Sequence, residues 1–138
     1  MNLFDLGYSD ELEKFRIENN LESFSSARVI SEHKERYVVK TAEGEFDAEI
    51  TGNLRYSAES REDFPAVGDW VSVNVCGEDF AINNSILPRK TLIKRQAPGT
   101  KSDIQIIAAN VDYAFLVQAV DRDFSVNRLE RYLTICYD

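Results

Sequence analysis

A chain of 138 residues, 43% of them hydrophobic, has room for one domain and part of another and enough apolar side chain for a packed core. Sixteen basic against 24 acidic residues leave a net charge of −8, which excludes a uniformly basic nucleic-acid coat. No apolar run approaches the roughly 18 residues of a membrane-crossing helix, and Met1-Asn2-Leu3-Phe4-Asp5 lacks the basic and apolar regions of a secretory signal. Cys76 and Cys136 support neither a disulfide framework nor a CxxC metal site, so a soluble cytoplasmic protein is expected.

The charge is segregated. Residues 1–23 and 42–63 are strongly acidic, whereas 24–41 carry four bases against two acids, and 88–101 hold Arg89, Lys90, Lys94, Arg95 and Lys101 with no acid. Such a basic stretch reads either as a solvated linker or as a local footprint for a phosphate backbone.

In chain order, Ser9 or Asp10 caps a short helix running to about Asn19, with Leu12 and Phe15 on its apolar face and Leu6 packing back over the first turn. From Phe24 the period becomes alternating. Weak strands are expected at about 24–31 and 36–41. Residues 45–51 turn Phe46, Ala48 and Ile50 to one side, residues 69–75 do the same with Val71, Val73 and Val75, and 80–87 with Phe80, Ile82 and Ile86. Ala42-Glu43-Gly44 and Cys76-Gly77-Glu78-Asp79 read as hairpin turns. Five short strands with one long connection after the third predict a mainly β fold, a Greek-key barrel of the OB type, with an SH3-like barrel as rival. Beyond Lys101, the run Tyr113–Val120 reads as a strand buried on both faces, 121–124 as a loop, and Ser125 as the cap of a helix bearing Val126, Leu129, Leu133 and Cys136 on one face. This βα unit has no partner strand in the sequence and reads as the opening of a second, α/β domain.

Few residues point to chemistry. Pro98-Gly99-Thr100-Lys101-Ser102 ends like a phosphate loop but lacks its glycines and reads as linker. His33 lies between two glutamates with no positioned partner, so a solvated loop histidine is expected. Trp70 either stacks a base on the outer barrel face or packs under the long loop or against the second domain; packing is preferred because Asp69 and Ser72 beside it are not basic. Arg28, Lys34, Arg36, Lys40 and Arg55 join Arg89, Lys90, Lys94 and Arg95 as candidate RNA-phosphate contacts if the barrel gathers them.

Four blocks, in order, carry a family resemblance: Pro65-Ala66-Val67-Gly68-Asp69-Trp70-Val71, Ile86-Leu87-Pro88-Arg89-Lys90-Thr91, Gln105-Ile106-Ile107-Ala108-Ala109-Asn110-Val111-Asp112, and Asp123-Phe124 with Asn127-Arg128-Leu129-Glu130-Arg131-Tyr132-Leu133. Leu6-Gly7-Tyr8 and Gly52-Asn53-Leu54-Arg55 extend it over nearly the whole chain. The sequence resembles the N-terminal part of the ribosome small-subunit-dependent GTPase A family, circularly permuted GTPases of ribosome biogenesis. The resemblance implies an N-terminal helical segment over 1–22, an OB domain over 23–95 docking on rRNA of the small subunit, a basic linker over 96–103, and the start of a P-loop-type GTPase domain over 104–138. It also implies GTP, Mg²⁺ and a structural Zn²⁺ for the full-length family protein. NKxD, GxxxxGK[ST], DxxG and a zinc-binding Cys/His cluster do not occur in these residues. No catalytic, nucleotide or metal residue is therefore carried over, and the chain alone is expected to be inactive toward GTP and to self-associate through 113–120. The other reading is a stand-alone acidic OB module that binds a protein through the acidic rows at 43–49 and 59–63.

Overall fold

The computed structural model describes residues 2–96, 104–119 and 125–137. Five strands, β1 (Ser25–His33), β2 (Arg36–Thr41), β3 (Gly44–Ile50), β4 (Trp70–Val75) and β5 (Phe80–Ile86), close into a barrel in the order β1-β2-β3-β5-β4. β4 returns to pair with β1, and the β3–β5 pair is parallel while the others are antiparallel. This is the five-stranded Greek-key barrel of OB type expected from the strand pattern, and closure leaves no open edge. The connection between β3 and β4 carries a short helix, α2 (Gly52–Ser57), capped by Thr51.

The barrel interior holds Ala27, Val29, Tyr37, Val39, Phe46, Ala48, Ile50, Val71, Val73 and Ala81, with Leu54, Phe64 and Ile86 packed against them. Two of the alternating patterns need correction. On β5 the inward residues are Ala81 and Asn83, while Phe80 and Ile82 are only half-buried. Ser72 pairs with Ser85 but Val73 pairs with Asn83, so Asn84 is an extra residue that switches the strand's phase and returns Ile86 to the core side. Val75 lies 41% exposed at the end of β4, beyond the packed interior.

A second cluster explains Trp70. The indole is 1% exposed, yet what covers it is the N-terminal segment: Tyr8 and Leu87 are buried with it, and Leu3, Leu6, Leu12, Phe15 and Leu21 pack around them. Base stacking by Trp70 is thus excluded, and so is cover by the long loop. The helix α1 (Asp10–Glu18) starts where Ser9 accepts a hydrogen bond from the Leu12 amide, three acids occupying its first turn.

After the barrel the chain forms β6 (Leu92–Gln96), paired antiparallel with β7 (Ile104–Ala109), and then α3 (Val126–Tyr137). Ser125 accepts from the Arg128 amide at 3.2 Å, as its predicted capping role requires. The expected strand at 113–120 is not formed over its described part. Residues 113–119 join no strand ladder among the described residues, and Tyr113, Phe115 and Val117 are 85%, 89% and 92% exposed. A strand buried on both faces needs neighbours on its edges and a layer over each face, and among the described residues none supplies them. The apolar face of α3 lies open for the same reason, and its residues are not buried. The phosphate-loop-like stretch at 98–102, and most of the basic linker, lie outside the described residues.

Candidate nucleic-acid interface and the joint behind it

Three of the sequence blocks meet at one place, between the barrel and the β6–β7 sheet. Gly68 is in the left-handed region at φ +95°; its amide donates to Val29 O at 2.8 Å, and a Cβ there would lie 2.0 Å from Ala109 O. Only glycine permits that approach. On either side, Val67 O accepts from the Ala109 amide and Asp69 O from the Val29 amide, each at 2.8 Å.

Asp69 is fully buried. Its carboxylate accepts from the Ala66 amide at 2.7 Å and receives Arg89 in a two-pronged pair, both bonds at 2.8 Å. Arg89 also donates to Glu62 O and Phe64 O, so its guanidinium holds the long connection closed over the barrel. The Asp69 hydrogen bond raises the Arg89 pKa further, against the opposing effect of burial. Breaking a buried pair of this kind costs about 3–5 kcal/mol.

Arg28, on β1, is the second clamp. It donates to Leu6 O in the N-terminal segment, to Gly68 O at 3.0 Å and to Asn110 O at 3.0 Å, with its guanidinium 5.8 Å from the Trp70 ring centroid. Asn110, at φ 57°, donates from its side chain to Gly68 O at 2.9 Å and accepts from the Lys90 amide at 2.7 Å. Thr91 exchanges hydrogen bonds with the backbone of Val111, through its hydroxyl, at 3.0 and 2.7 Å. The blocks around Gly68, Arg89 and Asn110 therefore build a joint.

Most of the candidate RNA contacts are spent in or around that joint. Arg28 and Arg89 are consumed by it directly. Arg55 pairs with Glu35 at 3.1 Å, Lys90 with Asp112 at 2.8 Å and Lys94 with Glu62 at 2.6 Å, while Arg95 donates to Gln105 at 3.0 Å. The Lys90 bond holds the exposed Asp112 carboxyl below its ordinary range. Three of the five bases of that stretch, Arg89, Lys90 and Lys94, are thus paired with acids from distant parts of the sequence, and Lys101 lies outside the described residues. Lys34, Arg36 and Lys40 make no ion pair among the described residues, and neither does Arg61, which the charge pattern did not single out.

Lys34 and Arg36 sit together with His33 at the β1–β2 hairpin. Its two central residues, Lys34 and Glu35, are both left-handed, at φ 50° and 65°. That matches the twist of the strands but is disfavoured for side chains other than glycine or asparagine. Lower on the same sheet the charge balances: Arg36 faces Glu49, Val38 faces Asp47 and Lys40 faces Glu45 across the β2–β3 pair. The acidic row of β3 opposes phosphate on that face. At the hairpin end Lys34 and Arg36 are exposed without an ion pair among the described residues, with Glu32, Glu35 and Glu49 as their acidic neighbours.

The sequence model of the family described as RsgA GTPase matches residues 86–138. The chain is 43% identical over 113 residues to the Small ribosomal subunit biogenesis GTPase RsgA 1 of Oceanobacillus iheyensis, covering 81% of this chain and 32% of that protein. It is 39% identical over 148 residues to the RsgA of Opitutus terrae, covering 98% and 39%, and 33% identical over 145 residues to that of Syntrophotalea carbinolica, covering 100% and 40%. The crystal structure of YjeQ from Thermotoga maritima shares the fold, with a TM-score of 0.57 at 22% identity over 82% of this chain and 37% of that one. The chain spans between 32% and 40% of the length of these curated relatives. With the sequence blocks and the barrel in agreement, the chain belongs to the RsgA family.

Proposed function

We propose that this chain is the RNA-docking region of a GTPase that binds the small ribosomal subunit late in its assembly, the full-length protein hydrolysing GTP to GDP and phosphate. Relatives that cover nearly all of the chain are named small ribosomal subunit biogenesis GTPases. The observation that carries the docking role is the β1–β2 hairpin, where a strained turn presents Lys34 and Arg36 without ion-pair partners among the described residues, on an otherwise acidic molecule. In this reading residues 1–22 brace the barrel of 23–95, the basic linker is 96–103, and the GTPase domain opens within 104–138. At the end of the 23–95 span, β6 pairs with β7 and with no barrel strand.

GTP and Mg²⁺ act in the remainder of the full-length protein, with Zn²⁺ as its structural metal. Among the described residues no group of His, Cys, Asp and Glu is arranged to hold a metal ion. On its own it self-associates through the exposed apolar run at 113–119.

Co-sedimentation with purified small subunits tests the docking role. Lys34→Glu with Arg36→Glu should weaken binding at least ten-fold, roughly, and lower the salt-dependence slope by about two, one per lost phosphate contact. Lys90→Gln with Lys94→Gln should weaken binding less than the hairpin variant, since each lysine has a carboxylate partner in the unbound chain. Unchanged pelleting of the hairpin variant would exclude the hairpin as the footprint. The exposed acids Glu45, Asp47 and Glu49 favour a second reading, a module that captures a protein partner. Ribonuclease-insensitive capture without affinity for ribosomal RNA would select it.

A further inference from the structure

Beside the joint, a groove of about 430 Å³ runs between the barrel and the β6–β7 sheet. Its volume is within the range of about 300–1,000 Å³ usual for small-ligand pockets. Glu32, Glu35 and Tyr37 line it from the base of the β1–β2 hairpin, Arg61 and Phe64 from the connection before β4, and Arg95 from β6.

Three of these groups are unspent. Tyr37 is 3% exposed with its ring in the barrel core, yet its hydroxyl has no hydrogen-bond partner among the described residues. Tyr37 lines the groove together with Glu32 and Glu35, and its pKa is pushed up to about 12, by burial first and then by those two carboxylates. Arg61 is exposed and makes neither an ion pair nor a side-chain hydrogen bond among the described residues. Glu32 uses one oxygen, at 3.3 Å from the Glu35 amide, which leaves the other. Glu35 is already neutralised by Arg55.

A ligand that satisfies all three must offer an N–H donor to the remaining carboxylate oxygen, an acceptor to a phenol, and an anion to a guanidinium, in a groove that Phe64 also lines. Guanosine within an RNA strand has each of these: donors at N1 and N2, acceptors at O6 and N7, a phosphate, and a stackable ring. A free phosphate would leave the carboxylate and the aromatic ring unused. We propose that the groove takes one unpaired guanosine of the RNA on which the adjacent hairpin docks. This rests on the docking role proposed above and adds to it a base-specific contact.

The test is fluorescence anisotropy with labelled single-stranded hexamers: all uridine, or uridine with one central guanosine or adenosine. Wild type should prefer the guanosine strand over the other two by roughly ten-fold. Tyr37→Phe, which keeps the core ring, and Arg61→Ala should each abolish that preference at unchanged melting temperature. Lys34→Glu with Arg36→Glu should weaken all three strands alike and keep the ratio. Equal affinity for the three strands in wild type, or a preference that survives both groove variants, overturns the proposal. So does guanosine monophosphate binding as tightly as the guanosine strand, which makes this a free-nucleotide site. A guanosine preference in a chain that does not pellet with subunits would leave the groove standing and refute the docking role. Pelleting without the preference does the reverse.

Discussion

Gly68 is the residue where a single methyl group should matter most. Its positive φ and the 2.0 Å that would separate an added Cβ from Ala109 O act together, and the atom in the way is backbone, which cannot rotate aside. Gly68→Ala should cost about 2–4 kcal/mol in urea denaturation. A loss under about 1 kcal/mol would mean that the second sheet moves away freely and that the joint is soft. Tyr8 gives a second residue-scale test. Its hydroxyl donates to Glu13 at 2.7 Å and accepts from Ser26 at 3.2 Å. The Tyr8 bond, then Arg16, lowers the Glu13 pKa below its ordinary 4.5, while burial first and then Glu13 raise that of Tyr8 above 10.0. Glu13 therefore contributes stability above the unfolded carboxyl value, lost as pH falls through its lower folded value. Tyr8 contributes below the unfolded phenol value and loses its share as pH rises through its higher folded one. Tyr8→Phe should flatten the acid limb of a stability–pH curve relative to wild type; parallel acid limbs would show that the bond carries no stability.

At the scale of elements, what was legible in the sequence followed local period. Phe46, Ala48 and Ile50 alternate with charges, and that alternation survives as the inner face of β3. The phase of β5 was not legible, because the extra residue at Asn84 interrupts the alternation and a fully buried asparagine replaces an apolar residue at position 83. β6 was hidden in a basic stretch, since Lys94 and Arg95 follow only two apolar residues and their partners Glu62 and Gln105 lie far off in sequence. The same distance concealed the joint: Arg89 looks like a footprint until Asp69, twenty residues earlier, is found beneath it. The cover over Trp70 was not legible either, because it comes from Leu3 to Leu21, a segment whose helix shows only a thin apolar face. Charge patterns along a chain report what a side chain carries, and long-range pairing decides whether any of it remains for a ligand.

Across the whole molecule, the joint determines how the two units respond to force. Arg28 alone bonds to the N-terminal segment, the long connection and the turn after β7, and Asn110 bonds back to Gly68 and to Lys90. Packed polar contacts of this sort have discrete arrangements, so the barrel and the β6–β7 sheet should turn as one body. A rearrangement of the second unit would then reorient the β1–β2 hairpin, for which docking is proposed, together with the barrel. The two exposed native cysteines make this measurable: Cys76 lies in the barrel's β4–β5 turn, and Cys136 can be moved to the second sheet as Ile107→Cys in a Cys136→Ser background. Spin labels at Cys76 and position 107 should give one narrow distance distribution. Asn110→Ala, or Arg28→Lys as the milder change, should broaden it while the barrel still melts cooperatively. A broad distribution in the parent would show that the units swing independently, and transmission through the joint would then be lost.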